Sequence, residues 1–564
     1  MSQLIECVPN FSEGKDKRII DEITNAIQSV EGVKLLDVDA GPDTNRTVVT
    51  FVGAPEQVVL AAYLGIKKAA ELIDMRKHKG EHARMGATDV CPLIPISGIS
   101  MEETVEYAHK LGKMVGERLH IPVYMYEAAA TQPERRNLAN IRAGEYEGLP
   151  QKLQNAQWKP DYGAAVFNEN SGATVVGARD FLVAYNINLN TQSVRLANSV
   201  AFDVRENGRI LRKGNPLTGE ILKDENGLPL RTKGLLKSVK AVGWFIKEYN
   251  LAQVSMNLTN IGVTAVHTAF DAVEKSANER GLRVTGSELV GLIPLKCLTD
   301  AAKHYLRRQN RSEGLSEAQL IHIAIKSLGL DELRPFDPQQ KIIEYNLKSV
   351  QTAPLARMSL REFVDETASE SPAPGGGSIA AYLGSLGAAL AAMVANLSAG
   401  KRGWDEQIPY FSQVAMETQV LKDQLLTLVD EDTAAFNQIM EAFSLPKTSE
   451  NDQMLRKNAI LTATKYAINV PLKTMETAYQ TMQFIEKMAQ NGNPNSVTDA
   501  GVAALCARSA VYGAYLNVQV NALGCSDKDF AKEAEKNAQL LLNNALKAEK
   551  TILDIVQTKL TNNV

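Results

Sequence analysis

The segment RKHKGEHARMG, residues 76–86, is the most informative part of this sequence. Its eleven residues include two histidines, four cations and one carboxylate, and two glycines interrupt it. Histidine is the side chain best suited to moving protons near neutral pH, and the neighbouring cations would hold anionic groups of a substrate. The segment therefore indicates proton-transfer chemistry on a small anionic molecule. The alternative is a solvated basic loop, because runs of charge usually lie at the surface.

Two further segments, both in the C-terminal part, carry candidate groups. SPAPGGGS, residues 371–378, precedes an alanine-rich stretch, and glycines at a helix N-terminus can present backbone N–H groups to an anion. Its alternative is a hinge or a site of close helix packing. The acidic run Asp430-Glu431-Asp432 lies within a helical pattern, and its alternative is an exposed acidic turn.

Composition narrows the class of protein. A chain of 564 residues predicts about three or four domains. With 61 basic and 65 acidic residues the net charge is −4, so no overall field attracts nucleic acid or an anionic membrane. The five cysteines are widely separated and form no CxxC pair, which favours a reducing compartment. The first residues contain no apolar run of signal-peptide length, so we expect a cytoplasmic protein.

The elements that must position these groups fall into two classes. Up to about residue 330 the order βαββαβ occurs twice, which predicts two α/β subdomains of split-βαβ, ferredoxin-like pattern, at 1–178 and 179–330. They meet at a connector rich in Gly and Asn, residues 168–178, and a crevice between their sheets would suit a small molecule. The predicted strands are 4–8, 33–38, 47–52, 90–94, 123–126, 181–189, 239–246, 252–258 and 286–293, and the helices 17–30, 55–73, 102–119, 194–205, 265–280 and 298–308.

The remaining sequence has no strand pattern. Prolines at 335, 338 and 354 indicate a linker at 331–356, followed by an all-α helical-bundle domain at 357–564. Residues 375–400 are uncharged and long enough to cross a bilayer, but Ala, Gly and Ser dominate them, which favours a buried central helix. The predicted helices are 360–370, 378–397, 406–443, 450–467, 470–491, 496–523 and 528–558.

Longer segments of the chain resemble the formimidoyltransferase-cyclodeaminase family. CVPNFSEGKD, LLDVDAGPDTNRTV, DMRKHKGEHARMGATDVCPLIP, NIRAGEYEGLP, GARDFLVAYNINLN, AQVSMNLTN and GSELVGLIPLK resemble its transferase domain. SPAPGGGSIAA, LVDEDTAAFNQIMEAFSLPK and YGAYLNVQVN resemble its cyclodeaminase domain. The match covers nearly the whole chain, with both halves in the expected order.

The resemblance implies a bifunctional folate enzyme of histidine degradation. It would transfer a formimidoyl group from N-formimidoyl-L-glutamate to N5 of tetrahydrofolate, and then form 5,10-methenyltetrahydrofolate with release of ammonia. The catalytic residues implied are His82 and Asp432. The folate-binding segment implied is Gly163, Ala164, Ala165, Val166, Phe167, Asn168, Glu169, Asn170, Ser171 and Gly172. The resemblance also implies a polyglutamylated folate, no metal, and dimers within a ring-like homo-oligomer.

Charge and position add supporting candidates. Both carboxylates of formimidoylglutamate need cations, for which we consider Arg46, Lys79 and Arg84. Asp37 and Asp39 at a strand end could orient His82, and His78 could support it. Asp430 could raise the pKa of Asp432 by like-charge repulsion. A polyglutamyl tail would need local cations, such as Lys79, Arg84, Lys401, Arg402 or the segment 205–240. This segment has nine Lys/Arg and four Asp/Glu. Its alternative interpretation is a surface hairpin without a role in binding.

Two other interpretations remain open. One is a chain that retains only one of the two activities, and the other is a non-catalytic folate-binding scaffold. Both predict substitutions at the catalytic positions, whereas the motifs around His82 and Asp432 are intact.

Overall fold

The structure, a computed structural model, describes residues 3–42, 44–80, 83–215, 218–347 and 355–562. The chain divides into two compact units. The first comprises Met1–Ala301 and Ala324–Lys348, and the second Ala302–Ile323 and Ser349–Val564. The first unit is built on sheets and the second is helical, as the sequence predicts.

The first unit begins with the predicted βαββαβ order. Its elements are β1 (Leu4–Cys7), β2 (Asn10–Phe11), α1 (Lys17–Gln28), β3 (Lys34–Gly41), β4 (Arg46–Gly53), α2 (Pro55–Leu72) and β5 (Thr88–Ser97). β3 pairs with β4, β4 with β1, and β1 with β5, all antiparallel. Alternate residues of these strands, including Ile5, Phe51 and Leu93, form a core with helices α1 and α2. The opposite face of the sheet is therefore free to carry polar groups.

The same sheet continues beyond this ferredoxin-like core. Its further elements are α3 (Met101–Arg118), β6 (Val123–Glu127), α4 (Leu138–Arg142), α5 (Leu149–Gln154) and β7 (Thr174–Ala178). β7 lies between β5 and β6 and is parallel to both. The prediction of a connector at 168–178 was therefore wrong for its last residues. The sequence TVVGA is short, but all five residues are buried, as expected for an interior parallel strand.

The second sheet repeats the plan of the first. Its elements are β8 (Val183–Leu189), α6 (Val194–Val204), β9 (Arg212–Lys213), β10 (Glu220–Ile221), β11 (Val239–Ile246), β12 (Leu251–Leu258), α7 (Val266–Asn278) and β13 (Val284–Val290). The order β11-β12-β8-β13 is antiparallel throughout and corresponds to β3-β4-β1-β5. β9 and β10 pair as a small hairpin, mostly exposed in its described part, in the segment 205–240.

The prediction of a linker at 331–356 was wrong for its first half. After α8 (Leu295–Arg308) and α9 (Glu317–Leu328), the chain forms two short helices, α10 (Pro338–Lys341) and α11 (Ile343–Leu347). Ile342 and Ile343 are buried, and Ile342 bridges to Ile293. An apolar pair of this kind folds onto a core despite the nearby prolines. Residues 348–354 of the predicted linker lie outside the described residues.

The second unit also takes residues that were assigned to 179–330. Ala302–Ile323 belongs to it. The Ser312 hydroxyl donates to Asn396 Oδ1 at 2.6 Å, Asn396 Nδ2 donates to the Gly314 carbonyl at 2.8 Å, and Glu313 N donates to the Ser412 hydroxyl at 2.9 Å. These hydrogen bonds hold the loop between α8 and α9 against the bundle. The spacing of apolar residues does not predict this contact, because the groups that make it are polar.

The bundle is formed by long helices around an alanine-rich centre. Its elements are α12 (Leu360–Thr367), α13 (Gly376–Ala399), α14 (Ile408–Ser444), α15 (Glu450–Asn491), α16 (Val497–Gly524) and α17 (Lys528–Asn562). Among the described helices, α13 alone is long and apolar enough to cross a membrane, but 61% of that span is buried within the protein. The prediction of a buried central helix is confirmed.

The predicted break in α15 is absent. The sequence suggested separate helices at 450–467 and 470–491, but the 42 residues form one helix with Pro471 inside it. Ile468 and Met475 are fully buried on either side of the proline. Packing of this apolar face compensates for the lost backbone hydrogen bond.

Candidate active sites

Two predicted motifs meet in the first unit. The segment 163–172 lies against the segment 76–86 and the residues that flank it. Met75 N donates to the Asn170 carbonyl at 2.9 Å, Ala87 N to the Ser171 carbonyl at 2.8 Å, and Ala173 N to the Met85 carbonyl at 3.0 Å. The structure thus brings the predicted folate-binding segment beside the histidine-containing loop.

Glycines make this close approach possible. Gly172 has φ +69°, and a Cβ at this position would lie 2.2 Å from the Met85 carbonyl oxygen. A Cβ at Gly86 would lie 2.4 Å from the Ala173 carbonyl oxygen. Any larger residue at either position would force the two segments apart.

A third segment, NIRAGEYEGLP at 140–150, joins the first two. Tyr146 N donates to the Arg84 carbonyl at 2.9 Å, and the Tyr146 hydroxyl donates to the Glu169 carbonyl at 2.5 Å. The Tyr146 ring lies 5.4 Å from the Phe167 ring. An aromatic surface therefore lies beside the histidine-containing loop and could accept a flat ring.

Arg84 is not free to bind a substrate, contrary to the prediction. Arg84 is 9% exposed. Its guanidinium bridges Glu145 and Glu147, with Nη1 at 3.0 Å and 2.9 Å from their Oε2 atoms and Nη2 at 2.7 Å from Glu147 Oε1. These contacts raise the pKa of Arg84, the hydrogen bond to Glu147 contributing most. Arg84 therefore holds the loop on segment 140–150. Glu145 and Glu147, two residues apart in that segment, could have indicated a partner for Arg84 in the sequence.

His78 is fixed from both ring nitrogens. Arg84 Nε donates to His78 Nδ1 at 3.3 Å, and His78 Nε2 lies 2.9 Å from the Asn45 carbonyl oxygen. A carbonyl only accepts, so the proton belongs on Nε2 and Nδ1 is the acceptor. The His78 ring is thus held between Arg84 and the backbone of Asn45.

His82 and Glu81 lie outside the described residues. Lys79, two residues from Glu81, is exposed, and its carbonyl accepts from Asn45 Nδ2 at 2.8 Å. The Lys79 ammonium is therefore available to an anion, whereas the backbone beside it is held in place.

Arg46 lies in a polar cluster on the sheet face opposite α1 and α2. Burial, followed by the positive charge of Arg142, lowers the pKa of Arg46 to about 10, and Asp89 and Asp39 oppose this shift. Arg46 Nε is buried and has no partner among the described residues. Asp89 accepts from Arg142 and, at 3.0 Å, from Met85 N, which links the cluster to the loop. A buried, unsatisfied guanidinium N–H is suited to an anionic ligand.

Asp37 and Asp39 have other partners. Asp39 Oδ2 accepts from Gly291 N at 3.3 Å, which joins β3 to the end of β13. Asp37 lies 3.7 Å from Lys341 Nζ, and burial raises the pKa of this carboxyl. Asp37 therefore anchors the segment that the sequence assigned to a linker.

A further buried carboxyl lies on this face, and the sequence analysis did not identify it. Glu6 is 3% exposed, and burial raises its pKa to about 7, while the charge of Arg179 opposes the shift. Arg179 also bonds Tyr126, whose pKa burial raises to about 12. A glutamate in the middle of the apolar strand LIEC was the available signal.

The second site is built around Asp432 on α14. Asp432 Oδ2 accepts from the Ser378 hydroxyl at 2.9 Å, at the start of α13. A Cβ at Gly377 would lie 2.1 Å from Asp432 Oδ1, so only glycine admits the carboxyl here. Burial raises the pKa of Asp432, and the hydrogen bonds from Ser378 oppose the shift. The glycine-rich helix start, predicted as an anion site, is thus occupied by the protein's own carboxyl.

Asp430 does not cause the raised pKa of Asp432, contrary to the prediction. The shift comes from burial. Residues two apart on a helix point in different directions. Asp430 accepts backbone hydrogen bonds from Leu355 and Ala356, and its own pKa is raised by burial.

The segment YGAYLNVQVN of α16 completes this site. Asn517 Nδ2 would lie 3.5 Å from a Cβ at Gly376, and a Cβ at Gly513 would lie 3.1 Å from the Ala380 Cβ. The start of α13 is thus enclosed by α14 and α16. Among the described residues, no group of three or more His, Cys, Asp or Glu side chains is placed to hold a metal ion.

Comparison with known families covers both units. Residues 4–179 match the model of the formiminotransferase domain, N-terminal subdomain, and residues 184–348 match the formiminotransferase domain. Residues 359–540 match the formiminotransferase-cyclodeaminase model.

Individual relatives agree with these matches. The chain is 45% identical to the formimidoyltransferase-cyclodeaminase of Rattus norvegicus, over 97% of each chain. It is 44% identical to the glutamate formimidoyltransferase of Thermoplasma acidophilum, over 55% of this chain and 95% of the relative. It is 37% identical to the methenyltetrahydrofolate cyclohydrolase of Methylorubrum extorquens, over 36% of this chain and 97% of the relative. The chain therefore belongs to the formimidoyltransferase-cyclodeaminase family of bifunctional folate enzymes.

Proposed function

We propose that His82 is the general base and acid of the transferase reaction. The N5 amine of tetrahydrofolate attacks the amidine carbon of N-formimidoyl-L-glutamate and loses a proton as the tetrahedral centre forms. A neutral imidazole accepts that proton and then returns it to the departing glutamate nitrogen. The proposal is supported by the motif around His82 and by the convergence of its loop with two other motif segments, 140–150 and 163–172.

Substrate binding follows from the groups around this loop. The segment Gly163–Gly172 would hold the folate, with Phe167 and Tyr146 available to its flat rings. Lys79 and Arg46 would receive the substrate carboxylates, since Lys79 is exposed and Arg46 has an unsatisfied N–H. Arg84 and His78 would hold the loop in place without contacting the substrate.

Asp432 would be the proton carrier of the cyclodeaminase reaction. N10 attacks the formimidoyl carbon, N10 loses a proton, and the amino group must gain one before it leaves as ammonia. A carboxyl with a raised pKa can hold this proton and deliver it. The half-buried carboxyl of Asp432 on α14, bonded to Ser378 at the start of α13, is the single observation that carries this assignment. In both reactions a C–N bond forms and another breaks with the help of proton transfer at nitrogen, and we propose no metal ion for either.

The partial burial of this carboxyl also favours an enzyme over a scaffold. Burying a carboxyl group costs stability, which a protein that only binds folate has no reason to accept. The stability cost of placing Asp432 at this position also favours a chain that has kept the cyclodeaminase activity.

The boundaries, assembly and location are further parts of the proposal. We assign the transferase to residues 1–347, with its subdomains meeting near 178, and the cyclodeaminase to 357–564. Within the transferase sequence, Ala302–Ile323 packs as part of the helical unit. Self-association as dimers within a ring-like oligomer is supported by apolar side chains exposed on α13 and α16, such as Leu397, Leu516 and Leu523. The five free cysteines support the reducing cytoplasm. A polyglutamylated folate is the expected substrate.

One experiment tests both activities. The purified chain is incubated with formimidoylglutamate and tetrahydrofolate, and glutamate, ammonia and methenyl absorbance are followed separately. Both activities require all three products in equal amounts. Glutamate without ammonia would leave only the transferase, and binding of folate without any product would favour the scaffold.

A further inference from the structure

A cationic cavity lies at one end of the bundle, away from Asp432. Its volume is about 340 Å³, within the usual range for a small-molecule site. The cations lining it are Lys447, Arg456 and Lys457, and the remaining lining residues are Gln453, Ile460, Leu461, Thr464, Gly524 and Ser526. Three positive charges and no carboxylate in this lining favour an anionic ligand.

The cations of this cavity lack acidic partners, unlike two lysines further along α15. Lys465 is 2.6 Å from Asp527, and Lys473 is 3.6 Å from Glu431. Within the part of the chain that the structure describes, no ion pair is formed by Lys447, Arg456 or Lys457. Arg456 Nη2 donates to the Phe443 carbonyl at 3.1 Å, which fixes the guanidinium, but the buried Nε has no partner. This donor is oriented and unsatisfied.

A stripe of α16 connects the cavity to the Asp432 site. Asn517 lies beside Gly376 at the start of α13, and Gly524 lines the cavity. Asn517, Asn521 and Gly524 are spaced four and three residues apart and therefore share one helix face. The rise from Asn517 to Gly524 is about 10 Å. Asn521 lies between them, and its Nδ2 donates to the Ala467 carbonyl at 2.7 Å.

The chemistry of the substrate matches this arrangement. In a folate, N10 is joined through a rigid aminobenzoyl group to a glutamyl group with free carboxylates. If the formimidoyl carbon lies at Asp432, the glutamyl end must lie one aminobenzoyl length away. We propose that Lys447, Arg456 and Lys457 bind the glutamyl carboxylates of the cyclodeaminase substrate. This rests on the proposed role of Asp432, and it adds a subsite in the second unit that is separate from segment 163–172.

The kinetic test compares two substrates. One is 5-formimidoyltetrahydrofolate, and the other is 5-formimidoyltetrahydropteroate, which lacks the glutamyl group. The full chain should bind the first more tightly, with a KM lower by ~10-fold or more, the usual effect of a charge-assisted hydrogen bond. The double substitution Lys447→Ala/Lys457→Ala should raise the KM for 5-formimidoyltetrahydrofolate and so remove most of this difference. Both lysines are exposed, so their removal leaves the core intact.

Two controls separate the subsite from the catalytic proposal. Lys550→Ala, an exposed lysine of α17 outside the cavity, should leave the ratio of KM values at its wild-type value. Titration of the full chain and of the double variant with tri-γ-glutamate, which has no pterin, reports the subsite even if Asp432 has another role. A KM ratio and a tri-γ-glutamate affinity that both survive Lys447→Ala/Lys457→Ala would overturn the subsite. A normal kcat in Asp432→Asn would overturn the catalytic role instead.

Discussion

At the scale of single residues, the second site depends on one carboxyl in an unusual position. Asp432 is half-buried, bonded to Ser378, and close to Gly377. Burial raises its pKa, whereas the Ser378 hydroxyl stabilises the ionised form. Each of these features can be changed separately.

Substitution of the carboxyl itself gives the largest effect. Asp432→Asn should lower the cyclodeaminase rate on supplied 5-formimidoyltetrahydrofolate by ~10²–10⁴-fold, the usual contribution of general acid–base catalysis. The transferase rate of this variant should stay near wild type. His82→Ala should show the opposite pattern. A variant that loses both rates together would indicate unfolding or a shared site, so circular dichroism spectra are recorded alongside.

Gly377 provides a test of position with an adjacent control. In Gly377→Ala the new Cβ would lie 2.1 Å from Asp432 Oδ1, so the carboxyl must move. A displacement of this size should lower the cyclodeaminase kcat by ~10²-fold. In Gly376→Ala the nearest atom, Asn517 Nδ2, is 3.5 Å away, and the rate should change little. Equal rates in the two variants would contradict the close contact.

The pH profile tests the role of Ser378. Its hydrogen bonds lower the pKa of Asp432 against the larger effect of burial. Ser378→Ala removes the hydroxyl donor, so the pKa of Asp432 should rise further. The limb of the cyclodeaminase kcat/KM profile that reports Asp432 should therefore move to higher pH. A shift to lower pH would show that the limb belongs to another group.

At the scale of elements, periodicity predicted most helices and strands, and contacts between distant segments decided the rest. β8 and β11–β13 follow from alternating apolar residues, and the order of both sheets follows from βαββαβ. β7 was missed because a buried parallel strand has no alternation. Arg84 bonds Glu145 and Glu147, which are 61 and 63 residues further along the chain. No local sequence pattern predicts a contact over this separation.

The segment 331–347 gives a prediction at this scale. A fragment ending at residue 330 lacks Ile342 and Ile343, which are buried in the first unit. Burial of two isoleucines is worth roughly 3–6 kcal/mol as an upper value. Fragment 1–347 should therefore unfold at a higher urea concentration than fragment 1–330 and keep the transferase activity. Equal urea midpoints for the two fragments would show that residues 331–347 are a linker, as the sequence predicted.

At the scale of the whole molecule, two sites act in succession on one folate. The net charge is −4, so the polyglutamyl tail proposed for the folate would have to be held by local cations. Arg84 is ion-paired and Lys401 lies 4.0 Å from the Trp404 ring centroid. The remaining candidates are Lys79, Arg402, the segment 205–240 and the Lys447–Arg456–Lys457 cavity. A tail that stays bound would keep the pterin at a high effective concentration near both sites.

The last prediction follows from this tethering. With polyglutamyl tetrahydrofolate, little free 5-formimidoyltetrahydrofolate should accumulate during turnover, whereas the monoglutamate should release it. Exposed charges are screened within ~8–10 Å at physiological ionic strength, so the difference should shrink as salt is added. A time course of both folates at low and high salt, with the intermediate measured directly, provides the comparison. Equal accumulation from the two folates at low salt would exclude tethering, while the two chemical activities of the chain would stand.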